Sequence, residues 1–319
     1  MRRILVVRLG SMGDIIHTLP AAATLKHGSQ GAMLTWVVNK RWGPLLEGNP
    51  FIDRVIVVDR SNGRGVLQAW RELRLARHDI AVDFQGLIQS ALIATVSRPE
   101  RLFGYHQSQV RERFAALFYS DRVLVSAVHV VDRNLELARA AGASTILRQF
   151  PIPEGDPEGE LPDGPFVLAS PLAGWGAKQW PLERYSALAR RLRAELGMTL
   201  VVNGPPEASE ALAAIAGAWP HVSGIRGLIH ATRCAAAVVG IDSGPVHLAA
   251  ALCKPGVAIF GPTDPARNGP YGNTFTILRH TAAVTTYKRR HEADESMRGI
   301  SPDAVFDALA ARLARRRPV

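Results

Sequence analysis

The stretch that most constrains the fold is AVVGIDSGPVHLAAALCKPGVAIFGPTDP, residues 237–265. Val238, Val239, Gly240 and Ile241 form a short apolar run suited to a buried strand. Asp242, Ser243, Gly244 and Pro245 are turn formers. Pro245 also fits the first turn of a helix, where a missing N–H costs little. The helix continues through His247 to Leu252, Lys254-Pro255-Gly256 ends it, and residues 257–260 read as the next strand. Such a joint leaves backbone N–H groups facing outward at the positive end of the helix dipole. That is an anion site, and a diphosphate fits it.

The same alternation runs through the chain. In residues 2–8 the run Ile4, Leu5, Val6 and Val7 is continuously apolar, as in a parallel sheet covered on both faces. Leu9-Gly10-Ser11-Met12-Gly13-Asp14 then leads into a helix carrying Ile15, Ile16, Leu19 and Leu25. This joint is glycine-rich but is not G-x-G-x-x-G, so a dinucleotide fingerprint is unsupported. Taken alone, Asp14 at the helix start reads as an N-cap. Further strands are expected at 34–38, 55–58 and 80–84, with a basic loop at 60–64 and an amphipathic helix at 66–77. Residues 150–164, FPIPEGDPEGELPDG, read as an interdomain linker. A second α/β unit follows: a strand at 166–170, the loop AGWGAKQWP, a helix at 182–196 and a strand at 200–203. This order puts Lys178 near the C-terminal edge of the second sheet, where ligands of open α/β sheets bind. Ser301-Pro302-Asp303 starts a last helix with Val305, Leu309 and Leu313 spaced by four. Expected domains are thus 1–152 and 165–300, with 301–319 as a C-terminal helix able to pack back on the first.

Composition limits the function classes. Net charge is +10, and it is uneven: 20 Lys and Arg stand against 12 Asp and Glu in residues 1–150, and 18 against 16 in the rest. A basic first half suits a polyanionic partner, nucleic acid or an anionic lipid surface, although an Arg-rich composition alone gives the same bias. Residues 288–291, Lys-Arg-Arg-His, and 315–317, three arginines, add basic stretches near the end. No apolar run approaches the roughly 20 residues of a membrane-spanning helix. The start, MRRILVVRLGSMGD, mimics a signal peptide, but its apolar run is short, is interrupted by Arg8 and leads to no small-residue cleavage site, so a cytoplasmic protein is expected. Cys234 and Cys253 lack metal-ligand spacing and are expected as buried thiols. No Asp/His cluster demands a metal, and no cofactor is expected.

GIDSGPVHLAAAL followed by GVAIFGPTDP resembles the donor-site signature of the heptosyltransferases, glycosyltransferase family 9. Its usual form is close to V-D-T-G-x-x-H-L-A-A-A-L, then a strand ending G-P-T-D-P. RLGSMGDIIHTLPA resembles the first motif of the same family, at the other end of the chain. Between them DFQGLIQSALIA, RERFAALFYSDRV and VVDRNLELA are similar to segments of the heptosyltransferase I branch, with Arg113 in place of a proline. The resemblance covers nearly the whole chain. It implies an α/β fold of GT-B type, two doubly wound Rossmann-like domains facing each other across a cleft, the first for the acceptor and the second for the nucleotide sugar. It implies inverting, metal-independent transfer of L-glycero-D-manno-heptose from ADP-heptose to a Kdo residue of Kdo-lipid A, in the inner core of lipopolysaccharide. The protein is then cytoplasmic, peripheral on the anionic inner face of the inner membrane and without a nucleic-acid partner; its oligomeric state is left open, with a monomer favoured.

Residue roles follow from the same resemblance. Asp14 is the general base. Lys178, just before Trp180-Pro181, neutralises the donor diphosphate. Glu207, after Gly204-Pro205-Pro206, reaches the donor ribose. Ser243 and Gly244 hold the diphosphate, and Asp242 and His247 contact the donor sugar or orient the turn. Ser11, Gly13, Gln85 and Gly86 face the acceptor. Arg60, Arg64 and Arg111, from the charge of the first half rather than from the resemblance, are candidates to meet its phosphates or Kdo carboxylates, and those phosphates account for the basic first half. Ser296 stands where the family often has cysteine, so a structural role is expected there. Three rivals remain. Heptosyltransferase II shares both end motifs but uses a heptose acceptor, and the QGLIQSAL segment disfavours it. A sugar-nucleotide epimerase shares the two-domain architecture but needs no polyanion-binding domain. A nucleic-acid binder explains the charge, yet no recognised module is visible.

Overall fold

Apolar runs too continuous for a half-solvated strand become the middle strands of two parallel sheets. The computed structural model describes residues 1–29, 31–286 and 292–315; the basic run at 288–291 and Arg316 and Arg317 lie outside them. The chain divides into two units, Met1–Pro153 and Glu154–Val319.

The first unit contains β1 (Arg3–Val7), α1 (Met12–His27), β2 (Met33–Asn39), β3 (Arg54–Val58), α2 (Gly63–Ala76), β4 (Ile80–Asp83), α3 (Ile88–Val96), β5 (Arg101–Tyr105), a 3-10 turn at Arg113–Phe118, β6 (Asp121–Val123) and α4 (Val130–Ala140). All neighbouring strands pair in parallel, in the order β3-β2-β1-β4-β5-β6. The chain therefore winds outward from β1 in one direction, returns, and winds outward in the other. Leu5 and Val7 point into a core shared with Ala69 and Leu73 of α2, Ala91 and Ala94 of α3, and Ala115 and Ala116 of the 3-10 turn. Strand alternation turns Ile4 and Val6 to the opposite face, and there α1 packs along α4.

The second unit repeats the plan with β7 (Phe166–Ser170), α5 (Leu182–Leu196), β8 (Thr199–Gly204), α6 (Ser209–Ala213), β9 (Trp219–Val222), α7 (Ile225–Cys234), β10 (Ala237–Ile241), α8 (Gly244–Ala251), β11 (Gly256–Phe260), α9 (Pro265–Asn268), β12 (Phe275–Arg279), α10 (Glu295–Arg298) and α11 (Pro302–Ala314). Its order, β12-β11-β10-β7-β8-β9, is the same winding. Ser301 caps α11 by accepting from the Ala304 N–H at 3.2 Å, as its sequence foretells. Val305, Phe306 and Leu309 of α11 are buried in the second unit's own core, with α11 against α5. Ser296 is buried, in keeping with a structural role, and its hydroxyl donates to Asp294 at 2.6 Å.

Two sequence expectations need correction. The stretch read as a linker is in part a strap on the second unit. Gly224 N–H at the start of α7 donates to Glu158 Oε2 at 2.7 Å, and Trp219 Nε1 donates to the Glu160 carbonyl at 3.0 Å. Gly155, at φ 77°, passes so near the Arg226 carbonyl that a Cβ there would lie 2.4 Å from it. Its Pro/Gly content serves close docking rather than looseness. Cys234 and Cys253 are both exposed. Cys234 ends α7 and Cys253 follows α8, so the apolar neighbours in sequence turn inward while the thiols do not. Among the described residues no helix is long and apolar enough to cross a membrane.

Candidate active site

In a doubly wound sheet the loops after the two central strands diverge, and the gap between them holds ligands. In the first unit that switch point lies between β1 and β4, and in the second between β7 and β10. Every residue assigned a role from sequence follows the C-terminal end of a strand. Ser11, Gly13 and Asp14 follow β1, Arg60 and Arg64 follow β3, Gln85 and Gly86 follow β4, and Arg111 follows β5. Lys178 follows β7, Glu207 follows β8, and Asp242, Ser243, Gly244 and His247 follow β10.

At the first switch point Ser11, not Asp14, is the N-cap of α1, and Asp14 is its third residue. The Ser11 N–H and hydroxyl donate to Asp14 Oδ2 at 3.0 and 3.1 Å. Arg8, buried behind the loop, forms an ion pair with Asp14 Oδ1 and donates to the Phe84 carbonyl. The Asp14 side chain is 39% exposed, so this fixed carboxylate is open to solvent. Across the gap the Leu9 N–H donates to Gln85 Oε1 at 2.8 Å, joining the β1 and β4 loops. Gly86, at φ 70°, has Val110 where a Cβ would stand, at 2.8 Å, so the turn requires glycine and brings the Arg111 segment beside it. Arg60 donates to Gln89 of α3 at 2.6 Å. Arg64 and Arg111 are exposed.

The sequence reading missed the residues beneath this loop. Asp83, fully buried at the end of β4, accepts from Tyr119 Oη at 2.7 Å, Ser90 Oγ at 2.8 Å, and the N–H groups of Gln85 and Gly86 at 2.8 and 3.3 Å. Burial pushes its carboxyl up against these four hydrogen bonds. The available signal was an acid two residues before a Q-G turn at a strand end. Arg8 was also missed, since one arginine closing an apolar strand looks like a strand terminator.

The second switch point gathers charge. Lys178 Nζ donates to Asp242 Oδ2 at 2.5 Å and lies 4.7 Å from the centre of the Trp175 ring. His247 Nε2 is 3.7 Å from Asp242 Oδ1. Burial alone drives the Asp242 carboxyl up, but His247 and Lys178 together outweigh it and hold the carboxyl well below the usual carboxylate range. Ser243 is the N-cap of α8 and Gly244 its first residue, with Pro245 next, so the helix opens beside the Lys178 ammonium. The Ser243 hydroxyl donates to the Ile241 carbonyl at 3.2 Å. Glu207 is exposed in a 3-10 turn after β8. The structure thus brings Lys178, Asp242, Ser243, Gly244 and His247 together, with Glu207 one strand away. Lys178 is the ion-pair partner of Asp242 here.

Two doubly wound units, each with polar and charged groups at its switch point, define a two-domain Rossmann-like protein that presents a cation beside a helix N-terminus, a site for a phosphorylated ligand. The chain belongs to glycosyltransferase family 9, the heptosyltransferases, whose sequence pattern matches residues 66–297. It is 29% identical over 303 residues to lipopolysaccharide heptosyltransferase 1 of Escherichia coli K12, covering 87% of this chain and 93% of that protein. With lipopolysaccharide heptosyltransferase 1 of Pseudomonas aeruginosa it shares 29% over 299 residues, 85% and 82% of the two chains. The fold, of GT-B type, is that of the solved E. coli heptosyltransferase WaaC with ADP: TM-score 0.78, 24% identity, 97% and 99% coverage. E. coli ADP-heptose lipopolysaccharide heptosyltransferase II gives a TM-score of 0.79 at 22% identity, with 100% of both chains covered.

Proposed function

We propose that this protein transfers heptose from ADP-heptose to a Kdo residue of Kdo-lipid A, in inner-core lipopolysaccharide synthesis. The observation that carries the donor side is Lys178 set beside the opening turn of α8, at the second switch point. The relatives named lipopolysaccharide heptosyltransferase 1 support the choice of sugar and acceptor.

The chemistry is a displacement at the anomeric carbon. The acceptor hydroxyl binds at Asp14, which takes its proton as the oxygen attacks. The bond from the anomeric carbon to the diphosphate breaks on the opposite side, so the configuration inverts. ADP departs with negative charge developing on its β-phosphate. Lys178 and the N–H groups at Ser243 and Gly244 stabilise that charge. We read the reaction as metal-independent, because these groups supply the positive field that a divalent cation supplies elsewhere. The diphosphate shares Lys178 with Asp242, and His247 steadies Asp242 as the ammonium turns. Glu207 accepts from the donor ribose hydroxyls, while Gln85, Gly86, Ser11 and Gly13 border the acceptor, with Arg60, Arg64 and Arg111 on its anionic groups. The protein acts at the cytoplasmic side of the inner membrane, where this acceptor is anchored.

The test is a panel of nucleotide sugars with Kdo-lipid A as acceptor, read by mass spectrometry. One added heptose with ADP-heptose supports the reading. Addition only to an acceptor that already carries heptose replaces it with heptosyltransferase II activity, and no addition from any ADP-sugar overturns it.

A further inference from the structure

Large apolar side chains left in water are not evenly spread in this protein. In the second unit they are scattered, as at Leu196, Trp219, Ile277 and Val284. In the first unit most belong to one layer. Val66, Leu67 and Trp70 of α2, Leu92 of α3, and Phe114, Leu117 and Phe118 of the 3-10 turn are all exposed, Phe114 by 71% and Leu117 by 68%. These elements share one core beneath them, so they lie on one face of the sheet and in contact: α2 against α3, and α3 against the turn. The Ile88 N–H at the start of α3 donates to Glu112 Oε2 at 2.8 Å, tying α3 to the turn's entry.

Helical spacing arranges the outer face. Around α2 the buried stripe is Ala69 and Leu73. Next to it come Val66, Trp70 and Leu67, and beyond them Arg64, Arg71 and Arg74, at steps of three and four. The Arg74 guanidinium lies 5.1 Å from the Trp70 ring centre. The one acid of α2, Glu72, falls on the far side of the buried stripe and is paired with Arg54 at 2.8 Å. Phe114 and Leu117 likewise stand beside Arg111 and Arg113, and the nearby Glu112 is held by α3. The result is an apolar surface with an aromatic at its edge and a cationic border whose two nearby acids among the described residues, Glu72 and Glu112, are both engaged.

We propose that the outer face of the α2–α3–3-10 layer docks onto an anionic lipid bilayer, with Phe114, Leu117, Leu67 and Trp70 entering the headgroup–acyl boundary and Arg71, Arg74 and Arg113 meeting lipid phosphates. A contiguous exposed apolar patch marks an interaction surface. Charge decides the partner here. A second copy of this chain would bring an equally cationic border against this one, whereas an anionic membrane complements it. The choice of a bilayer rests on the function proposed above, but the experiment does not.

Co-sedimentation with phosphatidylglycerol vesicles free of saccharide tests it, with pure phosphatidylcholine vesicles as control. Wild type should pellet with the anionic vesicles, less so as salt rises. Phe114→Ser with Leu117→Ser should weaken the vesicle affinity at least about tenfold, from the apolar area withdrawn. Arg71→Gln and Arg74→Gln should each weaken it by about fivefold. Thermal unfolding of each variant shows that the fold is kept, and kcat on a fully deacylated, water-soluble acceptor should be unchanged by Phe114→Ser/Leu117→Ser. If wild type ignores anionic vesicles at physiological salt, or if the double variant binds them as wild type does, the proposal fails. A wild-type dimer that the double variant turns into a monomer also overturns it, by giving the face to a second copy. Loss of transfer activity with vesicle binding intact speaks against the function alone.

Discussion

Asp83 and Asp242 stand at corresponding places, each where the fourth strand of its unit meets the switch point, and their surroundings differ in kind. Asp83 is surrounded by neutral donors, two hydroxyls and two backbone N–H groups. Its carboxyl is pushed up, so as an anion it opposes folding at neutral pH, and that penalty fades as pH falls from its raised value toward the ordinary carboxylate range. Asp242 faces Lys178 and His247. Its carboxyl is held down, so it favours folding above the ordinary carboxylate range and that support is lost below it. A neutral cradle fixes geometry, and Asp83 fixes the Gln85-Gly86 turn. A charged pair can exchange partners, and the proposed function gives Lys178 a phosphate to turn to. The acid proposed to react in the first unit is a different one, Asp14, whose side chain is 39% exposed.

The largest expected effect tests that separation. Asp14→Asn should lower kcat by about 10² to 10⁴-fold, the range for a general base. Thermal stability should fall as well, because the change leaves buried Arg8 without its counter-charge, while ADP affinity should hold. A variant that keeps more than about a tenth of the wild-type rate leaves Asp14 a helix-start residue bound to Ser11 and Arg8, and the base must be sought elsewhere.

Lys178→Ala comes next. It should lower kcat/KM for the donor by about 2–4 kcal/mol in transition-state terms, as the loss of one charge-stabilising donor does. Unchanged donor kinetics would mean that the ammonium serves Asp242 alone. Stability then compares the two acids directly. Asp242→Asn leaves Lys178 without its counter-charge in a partly buried place and should cost about 2–3 kcal/mol, below the 3–5 of a fully buried pair. Asp83→Asn removes a charge that has no cation to lose and keeps an acceptor for the turn N–H groups, so it should change stability by about 1 kcal/mol or less. Equal losses in denaturant titrations would erase the contrast between the two cradles.

Much of this was legible in the chain, for reasons that differ by element. The strands with continuous apolar runs, such as Ile4–Val7 and Val238–Ile241, show themselves because both faces are covered. Helix α5 could be bounded to the residue, since Pro181 precedes it and Gly197 takes the left-handed C-cap. The roles proposed for Asp14 and Lys178 come from family motifs and not from periodicity. What stayed hidden depends on contacts distant in sequence. Asp14 at the third helical position needed Ser11 as cap, and Lys178 paired with Asp242 spans 64 positions. The strap at Glu158 looks like a spacer until β9 and α7 are in place to receive it. Two exposed cysteines looked buried because their sequence neighbours are apolar, and which side of a helix end faces inward is a tertiary fact.

The smallest effect belongs to a histidine that no role claims. His78 is buried between α2 and β4, and its imidazole is pushed down to about 4, by burial first and by Arg3 and Arg54 next. Its Nδ1 has no hydrogen-bond partner among the described residues. The unfolded chain takes up this proton near pH 6.5, so the folded state resists a proton that the unfolded state accepts. Stability supplied by neutral His78 is therefore complete above about 6.5 and is lost as pH falls from there toward about 4. His78→Leu keeps a similar volume and cannot titrate, so its Tm should fall less steeply than wild type across that window and match it near pH 8. His221, in the second unit, is also held down by burial and keeps its share of the slope in the variant. The acid limb should thus flatten without vanishing. A variant with an unaltered slope between pH 6.5 and 4 would show that His78 does not set the acid limb.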